Sequence, residues 1–215
     1  MPMTPNPFGG RINIDAGAPL NGPILRPPPH ISGALTPDVI GAIRDKWVAL
    51  GGEDGFGRAL DVERSTFDGR GRSQSFSGGG TISWHPDLGA FAVRGAIAAK
   101  WLALGREQYG YPMTDEMPCP DGRGRFNHFR TMQLADRPTA SIYWTAETGA
   151  HEVRGSIRTA WSSRGFERSK LGYPTSDQIP VSGPNGAQRS NFEHGSIDWT
   201  ADHGVQVDEP VPFDE

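Results

Sequence analysis

Three copies of one sequence pattern occupy most of this chain, and the repetition limits the fold more than any other feature. The segments 39–52, 93–106 and 153–166 read VIGAIRDKWVALGG, VRGAIAAKWLALGR and VRGSIRTAWSSRGF and align without a gap. Their shared glycines are 54 and 60 residues apart. A second block recurs around Trp84, Trp144 and Trp199, with spacings of 60 and 55 residues. Such a period indicates a repeat architecture in which neighbouring units bury each other's apolar faces.

The first block of each copy has the period of an amphipathic helix. In the second copy, apolar residues recur at i, i+4, i+8 and i+11, which places them on one helical face. These residues are Val93, Ile97, Trp101 and Leu104. Glycine follows each block, at Gly51, Gly105 and Gly165, where the cap after a helix favours positive φ. In the first copy, Thr36 and Pro37 predict an N-cap and the first helical position.

The second block of each copy has the alternation of short antiparallel strands. Ile142 and Trp144 point to one side and Tyr143 to the other, and the third copy repeats this order. Pro118 and Pro180 exclude the intervening polar stretch from the centre of a sheet. We therefore expect an α+β fold of three tandem repeats of about 55 residues, each a short helix plus a β-hairpin, packed into one compact repeat domain.

Segment boundaries follow from where the repeated pattern begins and ends. The predicted segments are an arm at 1–36, a repeat domain at 37–207 with units at about 37–92, 93–152 and 153–207, and an acidic tail at 208–215. The arm contains eight of the nineteen prolines, which predicts an extended chain, partly polyproline II.

Charge and composition exclude several classes of function. The net charge is −4 and no basic run is present, so a nucleic-acid partner is not expected. No apolar segment approaches the roughly 18 residues needed to span a membrane. Cys119 is the only cysteine, which excludes an intramolecular disulfide. The six histidines have no metal-binding spacing, and we expect no cofactor.

Two turn phrases are similar to a known family. LGYPTSD at 171–177 resembles the core of the LGFP repeat, with tyrosine in the place of phenylalanine. YGYPMTDE at 109–116 is similar, and FGRALDVE at 56–63 is a degraded copy without the proline. The run SIYWTAETGAHEVRGSIRTAW at 141–161 is close to the family's other signature. The resemblance covers roughly 37–207.

The resemblance implies a role at the cell envelope. LGFP repeats occur in bacterial, chiefly actinobacterial, secreted and cell-wall-associated proteins, often beside esterase, mycoloyltransferase or amidase domains. The repeat is associated with anchoring such enzymes on envelope polysaccharide and has no catalytic residues of its own. It implies a lectin-like binding module with an extracellular or cell-wall location. The first residues lack the basic and apolar regions of a Sec signal peptide, so the residues themselves assign no location.

Candidate ligand-binding residues lie on the hairpins. All six tryptophans occupy two repeated positions, which favours a packing role for all of them, and the hairpin set is the better candidate for partial exposure. An exposed indole can stack on a sugar ring, and hairpin positions that vary between units are suited to ligand contact. The predicted ligand-binding residues are Trp84, Asn127, His128, Tyr143, Trp144, His194, Asp198 and Trp199.

Charged residues around the turns have two interpretations each. The acids are Glu63, Asp115, Glu116 and Asp177. Paired carboxylates serve glycosidases, but repetition across units favours bonds from these acids to backbone amides of the loop. The arginines of DGRGR, at 68–72 and 121–125, either grip a carboxylate or phosphate ligand or pair with an acid of a neighbouring unit.

Three functions remain open from the sequence. The first is a non-catalytic module that binds carbohydrate or envelope polysaccharide. The second is a structural or protein-interaction role in which the arm at 1–36 clasps a partner or another copy of the chain. The third is a hydrolase with a spatially assembled site such as Ser-His-Asp. We favour the first.

Overall fold

The computed structural model describes residues 37–131, 139–182 and 186–210. The predicted arm at 1–36 and the end of the tail lie outside the described residues. The helices are α1 (Gly41–Ala49), α2 (Gly52–Phe56), α3 (Gly95–Ala103) and α4 (Gly155–Ser163), with 3₁₀ turns at Arg106–Gln108 and Phe166–Arg168. None of the described helices has the length and apolar character to span a membrane.

Thirteen strands lie in the described ranges and form three antiparallel sheets, so the predicted α+β class is confirmed. Sheet 1 contains β1 (Arg64–Ser65), β2 (Arg72–Phe76), β3 (Gly80–His85) and β4 (Gly89–Arg94). Sheet 2 contains β5 (Tyr111–Pro112), β6 (Met117–Pro118), β7 (Gly124–Arg130), β8 (Thr139–Thr145) and β9 (Gly149–Arg154). Sheet 3 contains β10 (Ile179–Pro180), β11 (Gln188–Phe192), β12 (Gly195–Thr200) and β13 (Gly204–Asp208).

Each sheet is larger than the predicted hairpin. A third long strand, β4, β9 or β13, pairs with the hairpin, and two-residue strands lie at the other side. In sheets 2 and 3 these short strands contain Pro112, Pro118 or Pro180. The third strand was missed because its small residues, such as Ala90 and Ala92, have little strand propensity of their own. The strand forms because the hairpin leaves a row of backbone groups that need partners.

The helices begin later than the apolar period predicted. Val93 belongs to β4, which ends at Arg94, and α3 begins at Gly95. The N-cap of α1 is Ile40, so the N-cap predicted at Thr36, which lies outside the described residues, is wrong. Gly95 has φ 59°, and an added Cβ would meet nothing within 4 Å, so the backbone conformation favours glycine here.

The predicted glycine caps after the helices are confirmed. Gly51, Gly105 and Gly165 have φ of 90°, 98° and 99°. Beyond this cap, the helix tryptophan holds the next turn in place in two units. The indole Nε1 of Trp47 donates to the Gly57 carbonyl at 2.8 Å, and that of Trp101 donates to the Gly110 carbonyl at 2.9 Å.

Helices and sheets alternate through the three units. Ile43 of α1 packs with Ile82 of sheet 1, and Ile97 of α3 packs with Ile142 of sheet 2. Helix α4 contacts two sheets, because its cluster includes Ile197 of sheet 3 and Tyr143 of sheet 2. The predicted alternation of Ile142 and Trp144 against Tyr143 therefore holds: the first two face α3, and Tyr143 faces α4.

Each Gly-Tyr-Pro turn inserts its tyrosine into the preceding unit. The Tyr111 hydroxyl lies 2.7 Å from Oδ1 of Asp68, and the Tyr173 hydroxyl lies 2.5 Å from Oδ1 of Asp121. The second glycine of each DGRGR turn makes room for the ring. An added Cβ at Gly124 would lie 2.6 Å from Cε1 of Tyr173, and the equivalent Gly71 is equally crowded by Tyr111.

The aspartate that follows each of these turns makes a second link to the preceding unit. Asp115 Oδ1 accepts from the amide of Ala92 at 2.9 Å, and Oδ2 accepts from Lys46 Nζ at 2.9 Å. Asp177 accepts in the same way from the amide of Glu152 at 3.1 Å and from Lys100 Nζ at 2.8 Å. The two aspartates bond backbone amides, but those amides belong to another unit rather than to their own loop. The predicted acids Glu63 and Glu116 pair with arginines instead.

Candidate functional site

Two clefts of the same construction open beside the first turns of α1 and α3. The first cleft has a volume of about 260 Å³ and is lined by Ile40, Gly41, Ala42, Ile43, Glu63, Arg72 and Trp84. The second cleft has a volume of about 220 Å³ and is lined by Gly95, Ala96, Ile97, Glu116, Arg125 and Trp144. Every polar or aromatic side chain of the second cleft has its equivalent in the first.

Strand register brings the arginine and tryptophan of each cleft together. Arg72 on β2 is the cross-strand partner of Trp84 on β3, and Arg125 on β7 is the partner of Trp144 on β8. Both indoles are half-buried and pack at the edge of the apolar clusters below α1 and α3. Each cleft therefore has an aromatic surface that is anchored on one side and open on the other.

Each cleft also contains one ion pair. Arg125 Nε donates to Glu116 Oε1, and Arg72 Nε lies 3.6 Å from Glu63 Oε1. The Glu116 side chain is 11% exposed and that of Arg125 is 44% exposed, so the guanidinium reaches further into solvent than the carboxylate. The pair supplies hydrogen-bond donors and acceptors without a net charge.

The first helical turn contributes further donors. The N-cap residues Ile40 and Arg94 make no side-chain cap hydrogen bond to their helices. The amide of Gly95 already donates to the carbonyl of Gly79 at 3.1 Å. The other amides at the start of α1 and α3 have no acceptor within the helix, and they belong to residues that line the clefts. An acceptor such as a hydroxyl oxygen is complementary to this edge.

The third unit has different chemistry at the same positions. Trp199 is half-buried and pairs across strands with Gln188, and Gln178 stands where the other units have glutamate. Two neutral amides thus replace the ion pair. The third unit serves as an internal comparison for the two clefts.

Three of the predicted ligand-binding residues lie at contacts between units and outside the two clefts. Asn127 is fully buried, and its Nδ2 donates to the carbonyls of Ala92 at 3.1 Å and Thr114 at 2.9 Å. Tyr143 is buried, with its ring centroid 4.7 Å from that of Trp161. A ligand in solvent has no access to the side chains of Asn127 and Tyr143, which join unit 2 to its neighbours.

His128 belongs to the same contact between units and touches a serine. Ser141 Oγ accepts from Arg158 Nε at 2.6 Å and shares a hydrogen bond with His128 Nδ1 at 2.7 Å. Burial first, and then Arg158, lower the pKa of His128 to about 4. Ser141 is fully buried. In a catalytic triad a carboxylate bonds the histidine. Here the charged group beside the serine and the histidine is the cation of Arg158 instead. This contact is therefore unsuited to nucleophilic attack.

The remaining predicted residues lie in sheet 3. His194 is exposed in the turn between β11 and β12. Asp198 receives a two-fold hydrogen bond from Arg189, at 2.6 and 2.7 Å. Of the predicted eight, the structure brings His128 and Tyr143 together, with ring centroids 6.4 Å apart beside a small pocket, and it sets Trp84 and Trp144 in separate clefts.

Every arginine of the DGRGR turns pairs with an acid, and only Arg123 pairs with an acid of a neighbouring unit. The first arginine of each turn pairs with an acid: Arg70 with Asp87 of its own unit at 3.2 Å, and Arg123 with Glu193 of the next unit at 2.7 Å. The second arginine of each turn lines a cleft. The sequence signal for that role was present, because arginine and glutamate recur together in two units and change together to glutamine in the third.

A comparison with protein families gives three matches along the chain. The family model described as LGFP repeat matches residues 57–108, 110–169 and 171–208, more than half of the sequence. Each match begins at or beside the turn that follows a helix, so the family frame starts later than the helix-first units used above. A comparison with curated proteins returns no match.

Proposed function

The chain belongs to the LGFP repeat family, and from that premise we propose that it is a non-catalytic module that binds carbohydrate in the first and second clefts. The observation that carries the proposal is the repeated set of a half-open indole and an ion pair around each cleft. The helix tryptophans Trp101 and Trp161 differ from this set because they are fully buried, although Arg106 lies over the Trp101 ring at 5.6 Å.

The chemistry of each cleft fits a sugar ring. One face of a pyranose is formed by C–H groups and packs against a flat aromatic surface, as the indole offers. The hydroxyls around the ring both donate and accept hydrogen bonds. Arg125 supplies donors and Glu116 supplies acceptors beside Trp144, and a small number of fixed polar groups in an apolar pocket is typical of specific ligand sites.

The same geometry favours binding over hydrolysis. Glycosidases place two carboxyl groups about 5–9 Å apart on either side of the scissile bond. Each cleft has one carboxylate among its lining residues, Glu63 or Glu116, and an arginine pairs with it. A single carboxylate does not supply the pair of carboxyl groups that glycoside hydrolysis uses, which supports a non-catalytic role.

Family membership suggests the class of carbohydrate. The resemblance associates LGFP repeats with envelope polysaccharide, and we extend that association to this chain as its natural target. The proposed location is accordingly the outside of the cell or the cell wall.

A glycan array tests the proposal directly. Wild-type protein is applied to immobilised polysaccharides and oligosaccharides of defined composition, alongside the double variant Trp84→Ala, Trp144→Ala. We expect wild-type binding to one class of glycan and a loss of at least about tenfold in the double variant, because a hot-spot aromatic contributes about 2 kcal/mol or more.

The matched control is the double variant Val48→Ala, Leu102→Ala, which removes two apolar side chains that are 58% and 59% exposed on α1 and α3. Circular dichroism and urea unfolding establish that each variant is folded. Absence of wild-type binding to every glycan, or full binding by the folded tryptophan variant, would refute the proposal.

A further inference from the structure

We infer that the first and second clefts bind two points of one polysaccharide chain and that this polysaccharide is neutral. The inference rests on the proposed function and goes beyond it in two respects: the length of ligand that is recognised, and its charge. Each respect has its own structural argument.

The argument for a polymer starts from the equivalence of the clefts. Trp84 and Trp144 stand at the same position of two tandem units, with the same arginine and glutamate beside them. Because the two clefts have the same types of side chain, each is expected to bind the same type of sugar. A polysaccharide presents that sugar repeatedly along one chain, whereas a short oligosaccharide presents it to one cleft at a time.

The second step is that the units are held in a fixed relation. Tyr111 bonds Asp68 of unit 1, and Asp115 bonds both Lys46 of α1 and the backbone of β4. These links hold the second cleft relative to the first before any ligand binds. Binding of one chain at the second cleft then becomes intramolecular, which typically raises the overall affinity by about 10²–10⁴ without new contacts.

The argument for a neutral polymer comes from the ion pairs. In each cleft a carboxylate contacts the guanidinium, so the polar group that meets the ligand has no net charge. A uronate or phosphate would compete with Glu63 or Glu116 for the arginine and would be repelled by that acid. A neutral hydroxyl instead accepts from the arginine and donates to the glutamate. The net charge of −4 also disfavours polyanions.

Titration with a polymer and a short oligosaccharide tests the two-point mode. The probes are the neutral polysaccharide with the strongest array signal and a trisaccharide of the same linkage. We expect wild-type protein to bind the polymer at least about tenfold more tightly per protein than the trisaccharide, with two trisaccharides bound per chain. Trp84→Ala or Trp144→Ala alone should remove the polymer advantage and halve the trisaccharide stoichiometry, while the remaining trisaccharide affinity stays unchanged.

A second variant guards against misfolding of the tryptophan variants. Glu63→Gln with Arg72→Gln gives the first cleft the amides of the third unit, and it should also reduce the polymer affinity to that of the trisaccharide. Arg70→Ala, two residues along the chain, is the matched control and should bind as wild type. Equal loss of polymer and trisaccharide affinity in a single-cleft variant, or one trisaccharide bound by wild type, would overturn the two-point mode.

Salt dependence tests the neutral charge. Binding of the neutral polysaccharide should change by less than about twofold between 50 and 500 mM NaCl, because no net charges are paired on binding. An acidic polysaccharide of uronates that binds more tightly than every neutral one, with a steep fall in salt, would contradict this part. Failure of wild type to bind any glycan would instead refute the proposed function itself.

Discussion

At the scale of single residues, buried polar side chains at the contacts between units are held by hydrogen bonds that substitution would break. The side chain of Asn127 is held by two carbonyls, and Ser141 is shared by His128 and Arg158. Buried donors and acceptors that lose their partners are costly, typically about 1–3 kcal/mol each. Such residues vary between units because each unit contacts a different neighbour. Ligand-binding residues are also expected to vary between units, so the sequence pattern alone does not distinguish the two roles.

The His128 environment makes stability depend on pH. The pKa of His128 is about 4 in the folded protein and about 6.5 when unfolded, so between these values the unfolded chain binds the extra proton. Stability therefore falls as the pH decreases from 6.5 to 4, by at most about 3 kcal/mol. His128→Asn, which introduces the residue found at the equivalent Asn191, should remove this component, as measured by urea unfolding at pH 4.5, 5.5 and 7.

The comparison between the two proteins isolates the histidine. Burial raises the pKa of Glu152 and of Glu167, and these acids contribute in the opposite direction, since their contribution is lost as pH rises. Both acids are present in wild type and variant, so they largely cancel in the difference. Parallel pH profiles for the two proteins would show that His128 does not titrate as described.

At the scale of elements, the turn after each helix is a connector between units. Its glycine is held by the helix tryptophan, its tyrosine enters the DGRGR turn of the preceding unit, and its aspartate joins the preceding helix and sheet. The turn in the first unit has Arg58 and Val62 in the places of the tyrosine and the aspartate, and both are exposed. The degraded phrase thus lacks the two residues that would reach a preceding unit.

Removal of one hydroxyl tests the connector. Tyr111→Phe and Tyr173→Phe should each lower the free energy of unfolding by about 1–3 kcal/mol, because Asp68 or Asp121 loses a charge-assisted hydrogen bond while the ring stays packed. Arg58→Ala, at the equivalent place in the first unit, should change it by less than about 0.5 kcal/mol. Urea unfolding of the three variants gives the comparison, and equal values for all three would disprove the connector role.

At the scale of the whole molecule, the three units have different sets of connecting residues. Unit 2 both inserts residues into unit 1 and receives residues from unit 3. In units 1 and 2 a lysine bonds the aspartate of the next unit, and a glycine makes room for its tyrosine. Unit 3 has Ala160 in the place of that lysine and Ala187 in the place of that glycine. The outer face of sheet 3 carries the Arg189–Asp198 pair, where sheet 2 has Phe126 and Tyr143 against α4. Terminal repeats with a polar outer face are the usual ends of a repeat array.

This difference predicts which unit can be duplicated. A chain with residues 93–152 copied in tandem should fold as a four-unit array with a higher urea midpoint, because the copy can both insert and receive connectors. A chain with 153–207 copied after itself should gain no stability, because its first copy lacks the receiving groups. Midpoints and resistance to limited proteolysis measure the outcome; equal gains from both duplications would contradict the model of the units and their predicted boundaries.

Part of the site could be predicted from the sequence. The three hairpin tryptophans are half-buried, as expected of the better candidates for partial exposure, but the helix tryptophan Trp47 is half-buried too, and only Trp101 and Trp161 are fully buried. The partners Arg72 and Glu63 were seen as separate charged residues of a turn and a loop. They meet because β2 pairs with β3 and the loop folds over the same edge, and a cross-strand register is not visible in either segment alone.

The sequence by itself determined the number of units, the helix faces, the glycine caps and the in–out alternation of the hairpins. These features depend on residues within one turn of helix or two strand positions of each other. The tertiary structure decided which unit each side chain joins: Lys46 and Asp115 are 69 residues apart and meet at 2.9 Å. Such contacts depend on how helices and sheets stack, which arises from packing of whole faces and has no periodic signature in the chain.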